Sequence, residues 1–312
     1  MGGKAGVLAN GQKNTFFVDK YTPHIYHCRR FPRKLSQMLI GTGLINEFID
    51  SVIHTGFLKT DSPQSAMLIA TPESGKTSIV EDKNCRSVAV VSDMIGSGIL
   101  DELAQKSYLR HIVINDMVAV MAHKEVTNQR TFAVMSALTE EGLGRVMLPG
   151  GLAMDFGRRK IGFICCIPTE LAMDNRRWWN RSGFSSRFIP FNYEYSEALQ
   201  LEIKRTIIIS GAYETKNGMQ RTPVPNKRFD VDIDEKRSKE VQSFADAVAE
   251  RLGEKGIRRG KQLRALVRGH ALIEKRLTVG PEDISFLKRL VPHLNYTNST
   301  ELEYARTKVN KE

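Results

Sequence analysis

Residues 66–78 read Ala-Met-Leu-Ile-Ala-Thr-Pro-Glu-Ser-Gly-Lys-Thr-Ser, an apolar run that breaks into a turn and then into Gly75-Lys76-Thr77. The layout is that of a strand, a phosphate-wrapping loop and a helix whose positive end faces an anion. In such a loop the backbone amides of Ala70, Pro72, Glu73, Ser74, Gly75, Lys76, Thr77 and Ser78, less the amide that proline lacks, form the cradle. Lys76 reaches the outer phosphates, and the Thr77 hydroxyl ligates Mg²⁺. The pattern G-x-x-x-x-G-K-[ST] is met except at its first position, where Ala70 stands for glycine. Alanine avoids positive φ, so the backbone at Ala70 is expected to stay out of the left-handed region. The competing reading is a chance Ser-Gly-Lys-Thr in a surface turn.

From residue 66 onward, short apolar runs alternate with longer amphipathic segments. Strands are expected at 66–70, 87–91, 111–114, 161–167 and 187–192, and helices at 76–82, 98–105, 127–141 and 170–179. Such alternation predicts a parallel sheet covered by helices on both faces. Ahead of it, residues 40–57 carry helical spacing. Residues 145–159, with Gly150-Gly151 between two apolar stretches, read as a hairpin.

Domain boundaries follow from composition. Residues 1–36 hold seven cations against Asp19 alone and read as a basic arm. Residues 37–210 form the nucleotide domain, 211–230 a Gly-, Asn- and Pro-bearing linker, and 231–295 a small all-helical domain. Residues 296–312 are a tail. In the helical part, 234–252 and 261–276 have helical spacing, and Pro281-Glu282-Asp283 opens a third helix through Leu290, with acids in its first turn.

The 312-residue chain has a formal net charge of +11, a field that draws polyanions and makes nucleic acid an expected partner. A second basic cluster is Lys255, Arg258, Arg259, Lys261, Arg264 and Arg268. No apolar run approaches the roughly 20 residues needed to cross a bilayer, so no membrane contact is expected. Cys28, Cys85, Cys165 and Cys166 lack metal spacing and read as reduced, buried thiols. With no export signal, that places the protein in the cytoplasm.

Three further positions complete a candidate apparatus. The strand His111–Ile114 runs into Asn115-Asp116. Asp116 is the acid there that can hold a metal-bound water or polarise an attacking one; the alternative is a helix cap. The strand 161–167 leads to Thr169, either a group that positions water beside a γ-phosphate or an N-cap. Ser185-Ser186-Arg187-Phe188 puts a guanidinium at a domain edge. There it could neutralise phosphate charge across a subunit boundary or pair with a local carboxylate. Trp178 and Trp179 suit an interface better than base stacking.

The order of these parts resembles the AAA+ ATPases, in particular the branch that holds the minichromosome-maintenance helicases and the MoxR-type ATPases. Ser186-Arg187-Phe188 is similar to that branch's finger motif. The run from Lys261 to Arg268, with Thr278 to Asp283 after it, is similar to its lid. The resemblance spans roughly residues 40–295. It implies an αβα sandwich with a small helical lid, ATP and Mg²⁺ as cofactors, and a homo-oligomer, a hexamer, in ring or spiral form. Asp116 with Asn115, Thr169, Arg187 and Lys261 take the catalytic roles, and Thr77 and Asp116 serve the metal. The implied work is ATP-driven remodelling of, or translocation on, nucleic acid. The alternatives are a MoxR-like chaperone acting on a protein partner and an ATP-dependent scaffold that does not hydrolyse. Three departures bear on turnover: Ala70 for glycine, Asn115-Asp116 for Asp-Glu, and Lys261 for an arginine whose fork it lacks.

Overall fold

The computed structural model describes residues 43–147, 153–210 and 224–296. Helix α1 (Gly43–Thr55) buries Phe48, Ile49, Val52 and Ile53 on one face. Next come β1 (Ser65–Ala70), α2 (Lys76–Glu81), β2 (Val88–Val91), α3 (Gly96–Gln105), β3 (His111–Ile114), α4 (Met117–Met121) and α5 (Glu125–Thr139). A hairpin of β4 (Leu143–Met147) and β5 (Ala153–Arg159) precedes β6 (Gly162–Pro168), α6 (Thr169–Arg181), a 3₁₀ turn at Ser185–Arg187, β7 (Phe188–Asn192) and α7 (Glu197–Ser210). Helices α8 (Glu235–Leu252), α9 (Ile257–Ile273) and α10 (Pro281–Leu290) follow.

The five-stranded sheet runs β2-β3-β6-β1-β7 with every pairing parallel. All residues of β1, β3 and β7 are buried, so these strands are covered on both faces, as a parallel sheet requires. Register fixes the two edges. Ser65, the first residue of β1, pairs with Phe188, the first of β7. Ala70, the last of β1, pairs with Pro168, the last of β6. Strand β3 is not the neighbour of β1, because β6 lies between them. Local pattern predicts strands but not their lateral order, which long-range packing decides.

The fold corrects several expectations. Trp179 is fully buried with Phe132 and Phe184 inside the chain, so it packs no subunit boundary, while Trp178 lies edge-on to Phe132 and is 40% exposed. Cys165 and Cys166 are buried, but Cys85 is only half-buried. The segment 224–230 is not free linker: Phe229 exchanges backbone hydrogen bonds with Phe57 and Lys59. Helix α7 was not foreseen. The arm, the Gly150-Gly151 tip, residues 211–223 and residues 297–312 lie outside the described residues. Among the described residues, no helix is long and apolar enough to cross a membrane.

Helix α9 packs on α1 at close range, since a Cβ at Gly269 would meet the Ser51 carbonyl oxygen at 2.4 Å. Charge joins the same helices. His270 hydrogen-bonds Asp283 at 2.5 Å and Glu47 at 2.9 Å, and stacks on Phe286. Arg276 holds Asp283 at 2.7 Å and Arg289 holds Glu47 at 2.7 Å. The Asp283 carboxylate also accepts the Gly280 amide at 2.6 Å, closing the start of α10. Burial alone would depress the His270 pKa, but the two carboxylates raise it above its ordinary value. Burial would raise the Asp283 and Glu47 pKa values, but His270 and the arginines bring both below the usual carboxylate range.

The sign of the linkage follows. A raised histidine stabilises below its ordinary pKa of about 6.5, and that contribution is lost as pH climbs through the folded value. The depressed carboxylates stabilise above the usual carboxylate range, and their contribution is lost as pH falls through their folded values. Urea unfolding at pH 6 and pH 9 should therefore show a decline toward pH 9 that His270→Leu flattens. At pH 6 that variant should be less stable by on the order of 2 kcal/mol.

Candidate functional site

The loop after β1 turns on two residues with positive φ, Glu73 at 62° and Gly75 at 74°. Ala70 ends the strand and is not among them, as expected. A Cβ at Gly75 would meet only the Tyr195 hydroxyl at 3.8 Å, so glycine is needed there for backbone conformation and not for space. Tyr193, just past β7, donates its hydroxyl to the Ser74 carbonyl at 3.2 Å, and its amide bonds Ile69 at 3.1 Å. Burial pushes the Tyr193 phenol above its ordinary pKa. The floor of the loop is thus pinned from the neighbouring strand, while Thr71, Pro72, Glu73, Thr77 and Ser78 are exposed at its rim.

Lys76 folds back into this loop. Its ammonium donates to the Ala70 carbonyl at 2.7 Å, the Thr71 carbonyl at 2.7 Å and the Ser74 hydroxyl at 3.1 Å. Three donors meet three oxygens, which is the full capacity of an ammonium. Burial lowers the Lys76 pKa, and the nearby Asp116 carboxylate opposes the shift. Cys166 lies beneath, its Sγ 4.0 Å from the Lys76 carbonyl oxygen, and burial pushes its thiol up to about 12. It therefore stays a thiol and adds no counter-charge. The loop holds a half-desolvated cation whose present acceptors are neutral, the donor set an anionic phosphate satisfies.

Three other candidates reach the same edge of the sheet. Asp116 follows β3 and caps α4, its Oδ1 accepting the Val118 amide at 2.9 Å. The capping alternative is therefore realised, and Asp116 is still exposed and close enough to act on Lys76. Asn115 is half-buried, its amide bonded to Val91 at 3.0 Å. Thr169 opens α6 but makes no capping bond. It is 4% exposed, and its hydroxyl has no hydrogen-bond partner among the described residues. A buried hydroxyl at the carboxyl end of β6, beside Ala70, is an orphan that costs about 1–3 kcal/mol unless something else bonds it.

Arg187 is not there. It precedes β7 and so stands at the start of β1, opposite the Lys76 edge, separated from it by a six-residue strand of about 17 Å. Its guanidinium bonds Glu140 at 2.9 Å and the Gly183 carbonyl at 2.5 Å, and its Nε has no partner among the described residues. Lys261 faces the same cleft, of about 760 Å³, with Ser65, Glu140 and Arg258 in its wall and no residue of 66–78.

Helix α9 grips this segment. Arg258 bonds the Ser186 hydroxyl and Glu140, Gln262 donates to the Ser186 carbonyl at 3.2 Å, and Arg259 donates to the Phe188 carbonyl at 2.6 Å. Tyr296 donates to the Ser185 carbonyl at 3.0 Å. Arg259 is 1% exposed and carries a two-pronged pair to Glu254 at 2.8 Å. The basic cluster expected to face polyanions is thus largely engaged internally, with Arg268 also paired to Asp61 at 2.8 Å. Lys255 and Lys261 remain exposed, and the Nε of half-buried Arg264 has no partner among the described residues. Glu140, Cys166 and Tyr193 carry no motif, and the runs that hold Arg258, Arg259 and Gln262 do not reveal these contacts; only tertiary proximity does.

No family model matches the chain, and no curated protein matches it. Among solved structures, it is similar to a full-length MCM homolog from Methanopyrus kandleri, at 15% identity and a TM-score of 0.48. That match covers 84% of this chain and 57% of the other, so the chain spans little more than half of that protein's length.

Arginines with different duties should respond differently. Arg259→Leu leaves Glu254 and the Phe188 carbonyl without their partner and should cost about 3 kcal/mol or more. Exposed Lys261→Ala should change stability by no more than about 0.5 kcal/mol. Urea unfolding of the two variants checks the contrast.

Proposed function

We propose that this chain is an AAA+-type ATPase whose catalytic site forms between subunits. The single observation that carries the reading is the placement of its two halves on opposite edges of one sheet. Lys76, Asp116 and Thr169 belong to the carboxyl edge, and Arg187 to the start of β7. A strand cannot shorten, so Arg187 cannot reach the loop of its own chain. An arginine needed at that loop has to come from a second copy that presents its other edge. Such a contact is head-to-tail, and it closes into a ring or winds into a spiral. Six subunits are the number the family resemblance implies.

In this reading Lys76 exchanges its carbonyl partners for phosphate oxygens, and the exposed Thr77 hydroxyl with Asp116 holds Mg²⁺. The bound metal supplies charge neutralisation at the phosphates. Thr169 spends its unpaired hydroxyl on the attacking water, which Asp116 helps to polarise. Arg187 leaves Glu140 to meet the neighbour's γ-phosphate, with Lys261 beside it. Because Asp116 is the acid present and Asn115 stands where a second would help, turnover is slow. Residues 231–295 act as the lid, with α9 tying its movement to the finger. The charge of +11 favours nucleic acid as the remodelled substrate over a protein.

Lys76→Ala and Arg187→Ala should each lower ATP turnover, the latter by about 10³-fold or more while nucleotide binding persists. Mixing the two dead proteins should restore activity. About one interface in four then pairs an intact loop with an intact arginine. A mixture as inactive as its components would remove the shared site.

A further inference from the structure

The start edge of the sheet carries a second cleft, of about 460 Å³, that the ATPase reading leaves unused. Six cations line it: Lys59, Arg110, Arg158, Arg159, Lys160 and Arg228. Its one acid, Asp61, is already bonded to Arg268 at 2.8 Å. Among the described residues, none of the six forms an ion pair. Arg159 spends its two terminal nitrogens on the carbonyls of Leu103, Lys106 and Leu109 at and just past the end of α3, yet its Nε is buried without a partner among the described residues. Burial, and then the charge of Arg228, lowers the Arg110 pKa; burial, and then Arg110, lowers that of Arg159. The cleft is under like-charge repulsion that nothing in the described fold relieves.

The backbone is distorted at the same place. Arg145 faces Asp155 and Leu143 faces Arg159, so two steps on β4 match four on β5. The surplus is taken up at Gly157 and Arg158, both with positive φ, at 59° and 57°. An arginine held in the left-handed region costs roughly 1–2 kcal/mol, and bulges of this kind re-aim side chains. Strain and uncompensated charge in one cleft are the marks of a site whose ligand supplies the missing anion.

We infer that this cleft binds the phosphates of a single nucleic-acid strand. Four of its cations are arginines, whose planar forks match phosphate oxygens two at a time. The position matters as well. Ser62, Pro63, Arg110 and Lys160 all precede their strands, so the cleft opens away from Lys76. A strand lying there leaves the nucleotide loop free, and residues 59–64 connect it directly to β1. The inference deepens the nucleic-acid branch of the proposed function, but strand binding here needs no ATP.

The test is fluorescence anisotropy with a labelled oligothymidine of about 20 nucleotides and the full chain, without nucleotide, over a salt series. Arg158→Asn with Arg228→Gln removes two exposed charges, and asparagine tolerates the left-handed backbone at 158. This double variant should bind about tenfold more weakly near 0.1 M salt, and its log–log salt slope should fall by about 1.4. Arg110→Gln, read beside a thermal melt, should weaken binding in the same direction. Lys76→Ala should bind as the parent does, whatever becomes of its ATP turnover. Inorganic phosphate at equal phosphorus concentration should compete poorly. Unchanged affinity and slope in the double variant would overturn the inference. So would loss of binding in Lys76→Ala, or displacement of the strand by equimolar inorganic phosphate. A failure of the mixing experiment with these results intact would strike the ATPase reading alone.

Discussion

A parallel strand has chemically distinct ends, and in this molecule the distinction is carried by β1. Its partners hold it in fixed register, β6 at the carboxyl end through Ala70 and Pro168, and β7 at the start through Ser65 and Phe188. Every residue of β1 is buried. Sliding it by one position would exchange its two buried faces and mismatch the packing on both, so the register is strongly specified. Through this one element, the groups proposed to hold a triphosphate and the arginine proposed to meet it are kept apart within a chain. A shared contact between copies is the arrangement in which both can act.

The two edges are built differently. At the carboxyl edge, the groups are poised but idle: an ammonium satisfied by neutral oxygens, a hydroxyl with no partner among the described residues, an aspartate occupied as a cap. Each has lower-energy partners available in an anion, a water or a metal. At the start edge, bonding is dense. Arg258, Arg259, Gln262 and Tyr296 hold Ser185 to Phe188 by side chain and backbone alike. The segment Ser185 to Phe188 is therefore tied to α9, and α9 is tied to α1 through Gly269 and the His270 network. In the proposed function a displacement of α9 would reach Arg187 through these bonds, and Arg187 would give up Glu140, its local counter-charge.

Much of this was readable from the sequence because periodicity and motif are local. The strand His111–Ile114 and the helix opened by Pro281 stand where their patterns predict, and α2 begins at Lys76 as the loop motif demands. What was not legible is non-local. Nothing in residues 161–168 announces that their strand inserts between β1 and β3. Arg259 looks like its neighbours in a basic run, yet is the one buried among aromatic and amide partners, and only the approach of Phe188 and Glu254 makes that tolerable. Trp179 carries an interface-like signature that Phe132 and Phe184 absorb. Helix α7 gave no usable signal against the basic, apolar-poor stretch that follows it. The cationic cleft draws its residues from four separated segments, so composition could register the charge but not where it gathers.

The most direct measurement is the structure of the assembled protein with a non-hydrolysable ATP analogue and Mg²⁺. The account predicts the Arg187 guanidinium of one subunit within hydrogen-bond distance of the γ-phosphate held by its neighbour's Lys76, with Glu140 released. An assembly in which Arg187 keeps Glu140 and meets no nucleotide, or in which Lys76 stays on its own carbonyls beside a bound analogue, would contradict it.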